Sequence, residues 1–176
     1  GPPTPDVVEL ARVTDRGIRE SKMVDMKQLV LEKDKSVIGI FCDNAVTDHD
    51  GNLFDVCSYA TTAALCSCKL PKFEMKDDVP VKIEGETMDP PISTIPVSVT
   101  MIKIGDYILV DPNMDEWSCL DARITITTNS DGNVVALQKG GPGGFTYDQL
   151  IKCAEISIQV GAKIREIIKE ATKGSS

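Results

Sequence analysis

The stretch that most narrows the fold begins at Thr146. Thr146 and Gln149 stand at capping-box spacing, and Leu150, Cys153, Ala154, Ile158, Ile164 and Ile168 keep a 3.6-residue period to about Ala171. A helix of that length with one apolar stripe has to bury it against another element. The chain just ahead offers strands for the purpose. Ile95–Ile104, Tyr107–Val110 and Ala122–Thr128 read as strands, with Gly105-Asp106 turning the first into the second. Asp131-Gly132-Asn133 marks a further hairpin into Val134–Gln138, followed by the glycine-rich loop Gly140–Gly144.

The first half alternates helix and strand. Asp6–Lys22 reads as a helix with Val7, Leu10, Thr14, Gly17 and Ser21 on a small, semi-apolar face. Glu32–Lys35 reads as a turn and Val37–Val46 as a buried strand. After the turn Asp48–Asn52, the residues Leu53, Val56, Cys57, Ala60 and Ala64 fit a second helix, its small side chains implying close packing on a sheet. Pro71 is expected to end that segment. Residues 77–94 form a polar, proline-containing excursion. The order helix, strand, helix, antiparallel strands, helix predicts one α+β domain.

Composition excludes several classes. At 176 residues the chain suits a single domain. No apolar run approaches the roughly 18 residues of a membrane span. Six cysteines, at 42, 57, 66, 68, 119 and 153, are scattered across helices and strands, so reduced buried thiols are expected rather than a disulfide framework. Cys66 and Cys68 form a lone CxC with no second pair at zinc spacing, and His49 is the only histidine; no metal site is expected. The net charge of −8 opposes non-specific nucleic-acid binding, so any nucleic-acid contact must come from a local basic patch or from a basic partner. The chain opens Gly-Pro-Pro and closes Lys-Gly-Ser-Ser, ends that stand outside the fold reasoning, and a longer natural chain is expected.

Four places could carry chemistry. Arg12, Arg16 and Arg19 fall within about 60° of one another on a helix, a three-guanidinium stripe suited to phosphate oxygens; from spacing alone a solvated face beside Glu9 and Glu20 is the simpler reading. Asp115 and Asp121 precede the strand at 122–128 and could serve as acid and base or hold a divalent ion, although turn and capping roles need the same residues. Gly51, Asn52, Leu53 and Phe54 enter a helix N-terminus, a ready place for an anion. Leu53 and Phe54 supply neither a hydroxyl nor a positive charge there, so a turn with a buried Phe is the simpler reading. Gly140–Gly144 has phosphate-loop composition without a phosphate-loop pattern.

Glu9–Ser21 (ELARVTDRGIRES), Thr47–Leu65 (TDHDGNLFDVCSYATTAAL), Lys103–Ile126 (KIGDYILVDPNMDEWSCLDARITI) and Ala136–Phe145 (ALQKGGPGGF) together resemble one family. They look like the non-catalytic RNase PH-like ring subunit of the archaeal exosome. The resemblance begins partway into the family's sequence. It therefore implies an RNase PH-like, ribosomal protein S5 domain 2-like fold lacking its N-terminal strands: one partial domain over 1–176 with a mixed sheet and packed helices.

The same resemblance implies a cytoplasmic ring in which this chain alternates with a catalytic RNase PH-like paralogue beneath RNA-binding cap proteins, with no membrane. That ring degrades single-stranded RNA from its 3′ end with inorganic phosphate as nucleophile. Inorganic phosphate and Mg are expected at the paralogue's site, and no cofactor in this chain. Active relatives carry a hydroxyl and a guanidinium where Leu53 and Phe54 stand, so the loop 51–54 reads as degenerate. They also carry two acids at the spacing of Asp115 and Asp121. The resemblance assigns RNA contact to Arg12 and Arg16, with Arg19 matching less well. It leaves as alternatives an active exoribonuclease using Asp115 and Asp121, or a purely structural ring subunit.

Overall fold

A computed structural model describes residues 2–77 and 79–173. Helix α1 (Pro5–Glu20) starts on the proline at its first position, where a missing N–H costs nothing. A short 3₁₀ turn (Met26–Leu29) leads into a small hairpin, β1 (Val30–Glu32) and β2 (Ser36–Val37). Helix α2 (Leu53–Ser67) is followed by β3 (Leu70–Lys76) and β4 (Val79–Met88), paired as a second two-stranded sheet. The main sheet holds β5 (Val97–Ile104), β6 (Tyr107–Val110), β7 (Ala122–Thr128) and β8 (Val134–Gly140) in the order β6-β5-β7-β8. The one-turn helix α3 (Met114–Ser118) links β6 to β7, and α4 (Tyr147–Thr172) closes the chain.

Alternation along β5 and β7 gives the main sheet two unlike faces. Val97, Val99, Met101, Ile124 and Ile126 project to one face and pack with Cys153 and Ile168 of α4. Each such buried side chain contributes roughly 1.5–3 kcal/mol. Thr146 and Gln149 form the reciprocal cap that starts α4. Gly161 lets α4 approach closely, since a Cβ there would stand 2.7 Å from the Thr128 hydroxyl.

The opposite face is lined with hydroxyls. Ser98 lies across from Thr127 and Thr100 from Thr125, and each pair is hydrogen bonded at 2.9 Å. Helix α2 meets this face with small and polar side chains: Ser58 donates to Ser98 at 3.0 Å, and Thr62 donates to the Pro96 carbonyl. Gly17 brings α1 against Thr127. Gly17, Ser58 and Thr62 thus serve a polar seam that leaves no room for bulk, whereas Val56, Ala60 and Ala64, expected to pack on a sheet, are exposed.

Several expectations need correcting. Val37–Val46 is not a buried strand: only Ser36–Val37 pairs, and the rest runs irregular with Phe41 92% exposed. The alternation survives in part, since Ile38 and Ile40 turn towards a second core of Met23, Val24, Leu29, Leu65 and Leu70. No strand among the described residues lies beside 38–46 to complete a ladder. The polar excursion at 77–94 is mostly folded, because β4 pairs with β3. Pro71 and Pro80 sit in these strands, tolerable where a two-stranded sheet is all edge. Pro71 therefore lies inside β3 and does not end α2, which stops at Ser67. Every strand pairing is antiparallel, so within the described residues the sheet is not mixed. Of the six free thiols, Cys57 and Cys153 are buried, whereas Cys42 and Cys119 are exposed.

Candidate nucleic-acid interface

Helix α1 divides the three arginines. Arg12 and Arg16 line an open groove of about 580 Å³ together with Val8, Val13, Glu9 and Gln138. Arg16 Nη1 donates to Gln138 Oε1 at 2.7 Å, which fixes the head of that side chain against β8 without neutralising it. Arg19 is turned elsewhere, 3.6 Å from both Asp15 and Glu20. Two of the three guanidiniums predicted as a stripe therefore share one surface, and the third is engaged by neighbouring carboxylates.

The loop at Gly51–Phe54 is held in shape by its contacts with the turn after β6. Gly51 has φ +104°, and a Cβ there would collide with the backbone of Pro112 and Asn113. Asn52 adopts a left-handed conformation, φ 44°, and its amide donates to Asp55 Oδ2 at 2.9 Å and to Asp111 Oδ1 at 2.7 Å. Leu53 opens α2, and Phe54, buried, stacks on Trp117 with ring centroids 6.0 Å apart.

A residue that sequence reasoning missed completes this corner. Arg123, the second residue of β7, is only 6% exposed, and its Cζ lies 4.1 Å from the Phe54 ring centroid and 5.5 Å from that of Trp117. Its Nη2 donates to Glu9 Oε1 at 2.6 Å. Gly140 stands opposite Arg123 in the ladder, and any Cβ there would overlap the guanidinium. The loop thus has a guanidinium nearby, but one closed off by two aromatic rings and a carboxylate. A lone basic residue inside a strand otherwise made of Ala, Ile and Thr was the available sequence signal.

The two acids sit in separate local structures. Asp121 Oδ2 accepts from the Gly105 N–H at 2.7 Å, tying the start of β7 to the β5–β6 turn. Its carbonyl also accepts from Gly143 N–H at 2.7 Å, which engages the glycine-rich loop in chain packing. Asp115 lies exposed in the first turn of α3, whose start is capped reciprocally by Asn113 and Glu116. Among the described residues no group of three or more His, Cys, Asp or Glu side chains could hold a metal ion. Nor is any described helix long and apolar enough to cross a membrane.

A further carboxylate, Asp55, is buried below the loop. Burial pushes its pKa up to about 6, against the pull of the Thr100 N–H at 2.9 Å, the Asn52 amide and the Thr100 hydroxyl at 2.7 Å. Asp111 nearby raises it further. The group links the loop before α2 to the hydroxyl seam of β5 and β7.

Residues 1–71 match domain 1 of the 3′ exoribonuclease family, the RNase PH family, and residues 94–160 match its domain 2. The chain belongs to the RNase PH-like 3′ exoribonuclease family. Among its RNase PH-like relatives, the exosome complex component Rrp42 of Thermococcus gammatolerans is 41% identical over 177 residues, covering 100% of this chain and 65% of the relative. The Rrp42 of Thermoplasma acidophilum is 43% identical over 166 residues, 94% of this chain and 61% of the relative. A chain of the Archaeoglobus fulgidus exosome with RNA bound to the active site superposes with TM-score 0.79 at 39% identity, over 94% of this chain and 63% of that one. An archaeal exosome core gives TM-score 0.78 at 37% identity, over 96% and 66%. The chain thus spans a little under two thirds of the length of these relatives.

Proposed function

We propose that this chain is a non-catalytic subunit of an exosome core ring, which positions single-stranded RNA and completes the active site of a catalytic RNase PH-like paralogue. The observation that carries this reading is the contrast between two places on one sheet face. Arg12 and Arg16 line an open groove, whereas the guanidinium beside the loop 51–54 is sealed over Phe54. Phosphorolysis needs a pre-arranged grip on the attacking phosphate and on the charge that develops in transfer. Leu53 and Phe54 provide neither, and Asp121 has its carboxylate bound to a backbone N–H. The similarity to archaeal Rrp42 chains and to a chain of an RNA-bound exosome supports the same reading.

The division of labour follows. Inorganic phosphate and Mg act at the paralogue's site, cap proteins deliver RNA, and this chain guides the strand by its phosphates. The assembly is cytoplasmic. Co-purification of the full chain with the catalytic paralogue, followed by phosphate-dependent RNA decay, tests the proposal. The chain alone should leave RNA intact, and the ring carrying Arg12→Glu with Arg16→Glu should bind RNA more weakly at matched salt. Robust shortening of RNA by the chain alone, or unchanged affinity in the double variant, would overturn it.

A further inference from the structure

Glu9 poses a problem for an RNA-facing groove. It lies on α1 one turn before Arg12 and two turns before Arg16, and it lines the same groove. Carboxylate and arginine three apart on a helix pair readily. A free Glu9 would capture one of these arginines and repel phosphate from the other.

The structure keeps it from doing so. Glu9 Oε1 is held by Arg123 Nη2 at 2.6 Å and also accepts from Gln138 Nε2 at 3.4 Å. With Nε2 turned to Glu9, the other end of the Gln138 amide, Oε1, faces Arg16 and accepts from it at 2.7 Å. Arg123 is fixed in turn by the Phe54 ring on one side and by the bare backbone of Gly140 on another. The result is a chain, Phe54–Arg123–Glu9–Gln138–Arg16. Its carboxylate is cancelled from the buried side, and a neutral amide is the acceptor that Arg16 meets.

We infer that Arg123 is a positioning residue for RNA binding: it sequesters Glu9 and so leaves the charges of Arg12 and Arg16 available to RNA phosphates. This rests on the reading of the groove as the RNA path. It gives Phe54 a role as well, because the ring that occupies the phosphate-loop position is the floor on which the sequestering guanidinium lies.

The test uses the assembled ring with the catalytic paralogue and a fluorescent single-stranded oligoadenylate, with affinity measured across a salt series. Arg123→Met keeps an apolar stem over Phe54 but releases Glu9. The expected result is several-fold weaker binding, with a log affinity–log salt slope shallower by about 0.7 for each arginine captured. Adding Glu9→Gln to Arg123→Met should restore both affinity and slope. If Arg123 serves packing alone, the assembled single variant binds with the wild-type slope, or Glu9→Gln fails to rescue it; either result overturns the inference.

Should Arg123→Met not assemble, Gln138→Glu on the edge strand β8 decides. A carboxylate facing Arg16 should weaken binding and flatten the slope by the same step, and wild-type behaviour would overturn the inference. Unchanged affinity in the Arg12→Glu, Arg16→Glu ring would remove the groove reading itself. Weakening there, with wild-type slopes in Arg123→Met and Gln138→Glu, removes this inference alone.

Discussion

The ring of Phe54 lies beneath the guanidinium of Arg123, 4.1 Å from centroid to Cζ. The two residues come from the first turn of α2 and the start of β7, so one contact joins the loop before α2 to the main sheet. Trp117 widens the aromatic floor, and Glu9 takes the forked end. The position to which the family resemblance assigns a phosphate grip is here filled by the chain's own side chains.

Phe54→Ala should be costly. Removing a buried aromatic ring typically loses about 3–5 kcal/mol, and here it also strips the face of a buried guanidinium. The urea midpoint should drop with little change in slope. A loss below about 1 kcal/mol would mean that the stack contributes little.

Introducing the hydroxyl and guanidinium that the resemblance assigns to active relatives, by Leu53→Thr with Phe54→Arg, should not confer phosphorolysis. The new guanidinium would be forced beside Arg123, two like charges in a poorly hydrated corner. The expected outcome is a less stable chain that releases no nucleoside diphosphate from RNA; measurable phosphorolysis would show that the corner can reopen.

Arg19 and Asp121 serve as contrasts to Arg12 and Arg16. Arg19→Ala removes only exposed pairs with Asp15 and Glu20, and such pairs contribute about 0–1 kcal/mol. In the assembled ring it should leave RNA affinity within about two-fold, since no phosphate contact is lost. Asp121→Asn keeps an acceptor for the Gly105 N–H and should leave phosphate-dependent RNA decay unchanged. A severe loss of decay with RNA binding intact would assign Asp121 a direct part in the chemistry.

The Asp55 carboxyl should leave a signature in stability against pH. Its folded pKa of about 6 lies above the ordinary 3.8, so the folded chain holds this proton more tightly than the unfolded one. Its favourable contribution is complete below 3.8 and is lost as pH rises through 6. The advantage of wild type over Asp55→Asn should therefore shrink by on the order of 3 kcal/mol between about pH 4 and about pH 7. Urea unfolding followed by Trp117 fluorescence measures it, and a difference that stays flat across that range would contradict the assignment.

The elements legible in the sequence are those whose signals are local. The Thr146–Gln149 cap, the Gly105-Asp106 and Asp131-Gly132-Asn133 turns and the apolar stripe of α4 each carry their instruction within a few residues, although Ile158, expected in that stripe, is 40% exposed. Val37–Val46 has strand composition, but a strand exists only with a partner, and composition cannot supply one. Prolines at 71 and 80 argued against strands that a two-stranded sheet accommodates at its edges. The short helix α3 was overlooked although Asn113 and Glu116 stand at capping-box spacing. At the site, the Arg12–Arg16 pairing followed from helical spacing. Arg123 did not, because its partner Glu9 is 114 residues away and no local pattern connects them.

That separation bears on the order of events during folding. Helix α1 and β7 must both be in place before Glu9 meets Arg123, so closing this contact spans a long stretch of chain and is entropically late. Until it closes, α1 carries its arginines beside an unshielded carboxylate. On the proposed reading of the groove as the RNA path, a nascent or partly unfolded chain is therefore a poor competitor for RNA, and affinity for the strand matures only with the finished sheet.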